Sequence, residues 1–367
     1  MGTNRFDVVV VGAGLSGLTA AAAAAHQNLK VALVATGPGS FVLGPGWLKA
    51  EDVARVSSEP ELREAIAFFC ERSQFAGCSF AGDIAAARFL PTVLGDFQRV
   101  AFAPFSMWNS APSEGSSTAI VGIRGLSSFD ENFMADRLNE HARAMGSSCT
   151  YAGRQISLSR NLGIPVTTLR IAAYFDRDPA FRTELIDALR SAASGFTRIL
   201  VPGMLGTQSS DQQLAQFEQD LGCSLCEMPT LPPSVPGLRV FHRLESQLRK
   251  NGVELYRGFP VQKVELLDDS CVQLQVDTPG HPMILRGESV VLATGQYSAN
   301  LLGNACAGYD EQMRPITSTG SVMAPNLFVA GSLLHSGAKD GGDAMEILTG
   351  YRAGNLAAST RGNYAAR

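Results

Sequence analysis

The sequence predicts an α/β protein in which both ends of the chain build one parallel sheet and an α+β domain is inserted between them. Three observations predict this. Val8-Val9-Val10-Val11 is an unbroken β-branched run, as expected of a strand buried on both faces. It leads through Gly12-Ala13-Gly14-Leu15-Ser16-Gly17 into the helix formers of residues 18–25, and then into a second buried run, Val31-Ala32-Leu33-Val34. Near the other end, residues 289–295 and 326–332 are two further apolar runs closing on small residues, and 343–355 have helical character.

The N-terminal unit is strand, Gly-x-Gly-x-x-Gly, helix, strand within about thirty residues, the context that a dinucleotide fingerprint requires. Gly12 permits the tight turn, Gly14 lets backbone approach a pyrophosphate, and Gly17 lets the helix close on the sheet. The helix start offers unpaired N–H groups and a partial positive charge. Ala13, Leu15 and Ser16 fill the turn between these glycines. One residue of the pattern is missing. An acid normally ends the second strand and accepts from the adenosine ribose, but here Ala35 and Thr36 stand there. Either the ribose is held otherwise, by Thr36, Ser40 or backbone, or the cofactor is a mononucleotide such as FMN.

The C-terminal elements complete a Rossmann-like FAD/NAD(P)-binding flavoprotein fold. Ala293-Thr294-Gly295 and Gly331-Ser332 end strands, so their backbone is expected beside a cofactor. Gly341 and Gly342 precede the last helix, where Asp343 is placed to cap it or lie just before it. That helix start can face the pyrimidine edge of an isoalloxazine and stabilise charge on the reduced ring. Residues 255–276 read as a short meander turning at Asp268-Asp269-Ser270, with Val261 expected at the cofactor.

Composition excludes several function classes. The 367 residues carry 30 Lys+Arg against 34 Asp+Glu, a net charge of −4, so binding nucleic acid through bulk charge is excluded. The apolar fraction of 45% excludes a disordered chain, and no run of about 18 apolar residues suggests a membrane span. Only 17% of residues are charged, against about 25% in ordinary domains, and this fits a surface partly covered by other subunits. Seven scattered cysteines read as reduced thiols in a cytoplasmic protein.

With these residues in view, the sequence resembles the B-subunit family of anaerobic glycerol-3-phosphate dehydrogenases, within the fumarate-reductase-like flavoproteins. The resemblance rests on Phe6-Asp7 with the fingerprint, on Val121-Gly122-Ile123-Arg124-Gly125-Leu126, and on the strands ending at Gly295 and Ser332. Most specific is Leu231-Pro232-Pro233-Ser234-Val235-Pro236-Gly237-Leu238-Arg239. The resemblance implies a non-covalent flavin (FAD or FMN, usually FMN for this family). It also implies an FAD-containing dehydrogenase subunit and an iron–sulfur subunit as partners. The role implied is electron transfer from glycerol 3-phosphate oxidation to dihydroxyacetone phosphate, on towards quinone. Partners would then hold the chain at the inner face of the cell membrane. The alternatives are an autonomous flavin oxidoreductase of a small metabolite, a divergent subunit of another dehydrogenase complex, and a scaffold subunit. The chain departs from the family pattern at Gly44-Pro45-Gly46-Trp47 and at Ala338-Lys339-Asp340-Gly341-Gly342-Asp343. Gly44 and Gly46 are nonetheless expected near the flavin.

The domains expected are 1–47 and 236–367 for the two halves of the dinucleotide-binding domain and 48–235 for the insert over the isoalloxazine. Within the insert, 61–69, 132–144 and 181–193 read as amphipathic helices and 197–203 as a strand. His335 and Lys339 are weak catalytic candidates from their place before the last helix; otherwise no catalytic residue is identified. Arg124 and Arg239 suit an anion, a partner or, more simply, surface ion pairs. Cys223 and Cys226 form a lone Cys-x-x-Cys pair, simplest as two partly buried thiols, and no metal or iron–sulfur site is expected.

Overall fold

The computed structural model describes residues 4–268, 271–295, 301–334 and 342–364. The chain forms two compact units, one of residues 1–40, 52–72 and 244–367, the other of 41–51 and 73–243.

The first unit is built on a seven-stranded sheet among the described residues. Its centre is the first strand, Asn4–Ala13, between Val31–Pro38 and Met283–Leu292, all parallel. Val8, Val9 and Val10 are fully buried, which explains the β-branched run. Leu327–Val329 extends the sheet parallel to Met283–Leu292. The stretch expected as a short meander divides. Glu254–Arg257 joins the sheet edge parallel to Val31–Pro38, whereas Val261–Asp268 and Cys271–Val276 form an antiparallel pair beside Met283–Leu292. Part of the expected turn, 269–270, lies outside the described residues.

Two helices pack together on this sheet. Leu15–His26 buries Ala20, Ala21, Ala23 and Ala24, and the final helix, Gly342–Tyr364, turns Gly350 and Gly354 towards it. A Cβ on Gly350 would lie 2.3 Å from the Ser16 carbonyl oxygen, and one on Gly354 2.5 Å from that of Ala20. The alanine run is therefore a close helix–helix contact rather than a mere helix-forming stretch. Residues 52–72 are fastened to the same helix: Arg352 pairs with Glu59 (2.7 Å) and Glu61 (2.6 Å), and the Tyr351 hydroxyl donates to Glu64 (2.6 Å).

The second unit contains a four-stranded, wholly parallel sheet ordered Ser224–Met228, Arg198–Pro202, Ser117–Ile123, Thr150–Ile156. A separate antiparallel sheet combines Leu48–Lys49, Phe97–Pro104, Phe80–Gly82 and Arg88–Pro91. The inserted part is thus richer in strands than its sequence suggests, because Ser117–Ile123 mixes Ser, Thr and Gly into a run whose last six residues are buried. The expected helices are present at Leu62–Phe75 (which crosses the unit boundary), Glu131–Ala144 and Pro179–Ala192. Asp130 caps the second of these, accepting from Asn132 N and Phe133 N, and Asp178 caps the third ahead of its leading proline.

Arg239 is not a surface residue. Its side chain is 2% exposed and grips Glu227, which is 0% exposed, with Nη1 and Nη2 at 2.6 and 2.9 Å from the two carboxylate oxygens. Arg239 Nε also donates to the Gly206 carbonyl (2.8 Å), while Glu227 accepts from Met204 N and Leu205 N. Burial alone pushes the Glu227 carboxyl upward, but the guanidinium and these N–H donors outweigh it and hold its pKa below the ordinary value.

Candidate functional site

Gly12 is held at φ +113°, a conformation closed to other residues. A Cβ there would lie 2.1 Å from the Ala293 carbonyl oxygen, whose own N–H donates to Val11 O at 2.8 Å. A Cβ on Gly17 would meet the Gly12 oxygen at 2.0 Å. These two glycines are therefore demanded by the protein's own packing. Gly14 is different. It is the N-cap of Leu15–His26, the helix has no side-chain cap and no acid in its first turn, and the space where its Cβ would stand meets only Gly39 Cα at 3.9 Å. Among the described residues no side chain caps the first-turn N–H groups, the condition for seating a pyrophosphate. That uncapped helix start is the feature that fits a dinucleotide. Gly39 closes the far side of the turn: its N–H donates to Ala13 O at 3.3 Å.

Other expected residues gather at the same end of the sheet. Ala293, Thr294 and Gly295 follow the end of Met283–Leu292, directly beside the first strand. Gly331 and Ser332 follow Leu327–Val329, and a Cβ on Gly331 would fall 2.6 Å from Ser16 Oγ. Ala35 and Thr36 lie on the second strand next to the fingerprint strand. Gly342 and Asp343 open the final helix. The Asp52 carboxylate stands against Gly342, where a Cβ would lie 2.3 Å from Asp52 Oδ2, so this helix start already has an acid beside it. Val261 opens a strand at the opposite end of the pairing order from the Glu254–Arg257 edge, half-buried against the apolar cluster of the sheet.

Gly44 and Gly46 belong to the second unit. There Gly46 packs on the proline-rich segment, its would-be Cβ 3.2 Å from Gly237 N, and Ser234 N donates to Val42 O at 3.0 Å. His335, Lys339 and Gly341 lie outside the described residues. Arg124 is exposed just beyond Ser117–Ile123, its N–H donating to Ile156 O. Cys223 and Cys226 are both free thiols. Burial pushes Cys226 up to about 12 and raises Cys223. Among the described residues no group of three or more His, Cys, Asp or Glu is placed to hold a metal, and no helix is long and apolar enough to cross a membrane.

The sequence reading missed Glu346 and Thr349. Glu346 Oε1 accepts from Ser332 N (2.9 Å) and Thr349 Oγ1 from Gly331 N (2.9 Å), so the final helix fixes the 331–332 turn beside Ser16. A signal was available: Glu346, Thr349 and Gly350, spaced i, i+3 and i+4, share one helical face.

Residues 7–50 and 40–253 match the family described as FAD binding domain. The B-subunit of the anaerobic glycerol-3-phosphate dehydrogenase of Pectobacterium carotovorum subsp. carotovorum (strain PC1) is 27% identical over 328 residues, 81% of this chain and 76% of that one. A probable B-subunit of the same enzyme from Halobacterium salinarum is 24% identical over 424 aligned residues, 96% of this chain and 97% of that one. Among solved structures, glycine oxidase from Geobacillus kaustophilus is matched at a TM-score of 0.33 and 15% identity, over 82% of this chain and 58% of that one.

Proposed function

We propose that this chain, which belongs to the FAD binding domain family, is the flavin-carrying electron-transfer subunit of a glycerol-3-phosphate dehydrogenase-type complex. It is a flavin-dependent oxidoreductase, and the family match specifies FAD as the cofactor. The proposal rests chiefly on one observation: relatives matched over most of both chains are B-subunits of that enzyme.

FAD, when bound, supplies hydride and single-electron chemistry. The chain's own residues do the rest. The uncapped turn at Gly14, Leu15 and Ser16 receives the pyrophosphate through its N–H groups. Backbone at Ala293, Thr294 and Gly295, and at Gly331 and Ser332, lies alongside the cofactor, the second turn held in place by Glu346 and Thr349. The Asp52 carboxylate beside Gly342 weakens the positive end of the final helix, so charge stabilisation on the reduced ring falls more to backbone N–H groups than to that dipole. The oxidised substrate in this reading is glycerol 3-phosphate, handled by an FAD-containing dehydrogenase subunit, with an iron–sulfur subunit carrying electrons on to quinone. A chain with 17% charged residues suits such company.

The test is anaerobic reduction of the bound flavin by glycerol 3-phosphate, with and without the co-purified partner subunits. Bleaching only in the complex supports the relay. Bleaching of the isolated chain replaces it with an autonomous oxidoreductase, and no bleaching in either case removes the substrate assignment.

A further inference from the structure

The second unit holds a cavity of about 660 Å³, a size that suits small-molecule sites, and every residue lining it belongs to that unit. Two arginines reach it from different sheets. Arg88 opens the antiparallel strand Arg88–Pro91, and Arg198 opens the parallel strand Arg198–Pro202, opposite Ser224. Both guanidiniums are held by uncharged groups. Arg88 lies over Trp108, with Cζ 4.6 Å from the ring centroid. Arg198 donates from Nη1 to Ala111 O (2.8 Å) and from Nη2 to Ser113 Oγ (3.0 Å). No Asp or Glu lines the cavity, and Glu114, beside Ser113 in the chain, accepts from Ser148 Oγ.

An arginine paired with a carboxylate contributes little net charge to its surroundings, whereas one held by a ring, a carbonyl or a hydroxyl keeps its charge whole. Two positive charges thus face one cavity, in a chain whose net charge is −4. Asn109, Ser147 and Ser224 add neutral hydrogen-bonding groups to its lining. Phe89 and Met145, both exposed, add apolar surface at the same place. We propose that this cavity is a second ligand site, which binds a small phosphate monoester. The phosphate lies between Arg88 and Arg198, and the organic part rests against Phe89 and Met145. A phosphate monoester carries about 1.5 to 2 negative charges at pH 7 and so matches both guanidiniums, whereas a carboxylate matches only one. The site works without the flavin, since none of its lining residues belongs to the Gly12–Gly17 turn.

The test is isothermal titration calorimetry of the flavin-loaded protein with phenyl phosphate, benzoate and phenol. Loading with flavin keeps the probes from the fingerprint turn. Phenyl phosphate is expected to bind at one per chain and about tenfold more tightly than benzoate, while phenol gives no binding heat. In Arg88→Gln, a change at an exposed position, the Kd for phenyl phosphate rises about tenfold, to the level of benzoate, and the flavin content stays that of the wild type. Absence of saturable phenyl phosphate binding up to about 10 mM overturns the proposal. Benzoate binding as tightly as phenyl phosphate overturns it too, as does an unchanged Kd in Arg88→Gln. Should that variant misfold, the three probes on the wild-type protein still decide between a phosphate site and none.

Discussion

Replacing Arg239 by leucine breaks the most deeply buried ion pair of the second unit, and both its size and its pH dependence follow from the geometry. Glu227 is 0% exposed and, when both guanidinium contacts go, is left with neutral donors such as Met204 N and Leu205 N, at 3.1 and 3.0 Å. Gly206 O loses its donor as well. Stranding one partner of a buried pair costs about 3–5 kcal/mol, and that is the loss expected at pH 7 in chemical denaturation. The sign then reverses between the two proteins. In the wild type the folded pKa of Glu227 is lowered, so its contribution is full above the ordinary carboxylate range and is lost as pH falls through the lowered value. In Arg239→Leu the guanidinium no longer offsets burial, the largest of the opposing effects, and the folded pKa rises. The variant's penalty therefore shrinks as pH falls from 7 towards about 4.3, the unfolded glutamate value. Denaturation curves at pH 7 and pH 5 decide the matter. A gap below 1 kcal/mol at pH 7 refutes the reasoning, and so does one equal at both pH values.

Gly12→Ala places a Cβ 2.1 Å from the Ala293 oxygen at φ +113°, displacing the turn, and the purified variant is expected to lose its flavin on gel filtration while wild type keeps it. Cys78 and Cys226, both pushed up to about 12 by burial, stay thiols at pH 8. Brief iodoacetamide treatment followed by peptide mapping should leave both unmodified in the native protein and alkylate both after denaturation.

The two ends of the chain were the legible part. A β-branched run, a glycine turn and a helix at fixed spacing are local features, and Val8–Val11 with Gly12, Gly14 and Gly17 took up the expected roles in strand and turn. The middle was harder to read because its central strand, Ser117–Ile123, carries polar and glycine residues whose burial comes from neighbouring strands. Arg239 was misread as a surface cation, since its carboxylate partner lies twelve positions away on another element. Glu346 escaped for the same reason. It acts on the Ser332 backbone, brought near only by the fold, at a sequence separation of 14 residues. Helix spacing placed Glu346 on a face, but only the fold shows what that face touches.

We propose that the Gly12–Gly17 turn holds FAD without a covalent bond. Mass spectrometry of the chromophore released on denaturing the purified protein tests this proposal, with FAD expected at about one per chain and none left on the polypeptide. Protein that is colourless and takes up no added FAD, or that releases FMN alone, contradicts it.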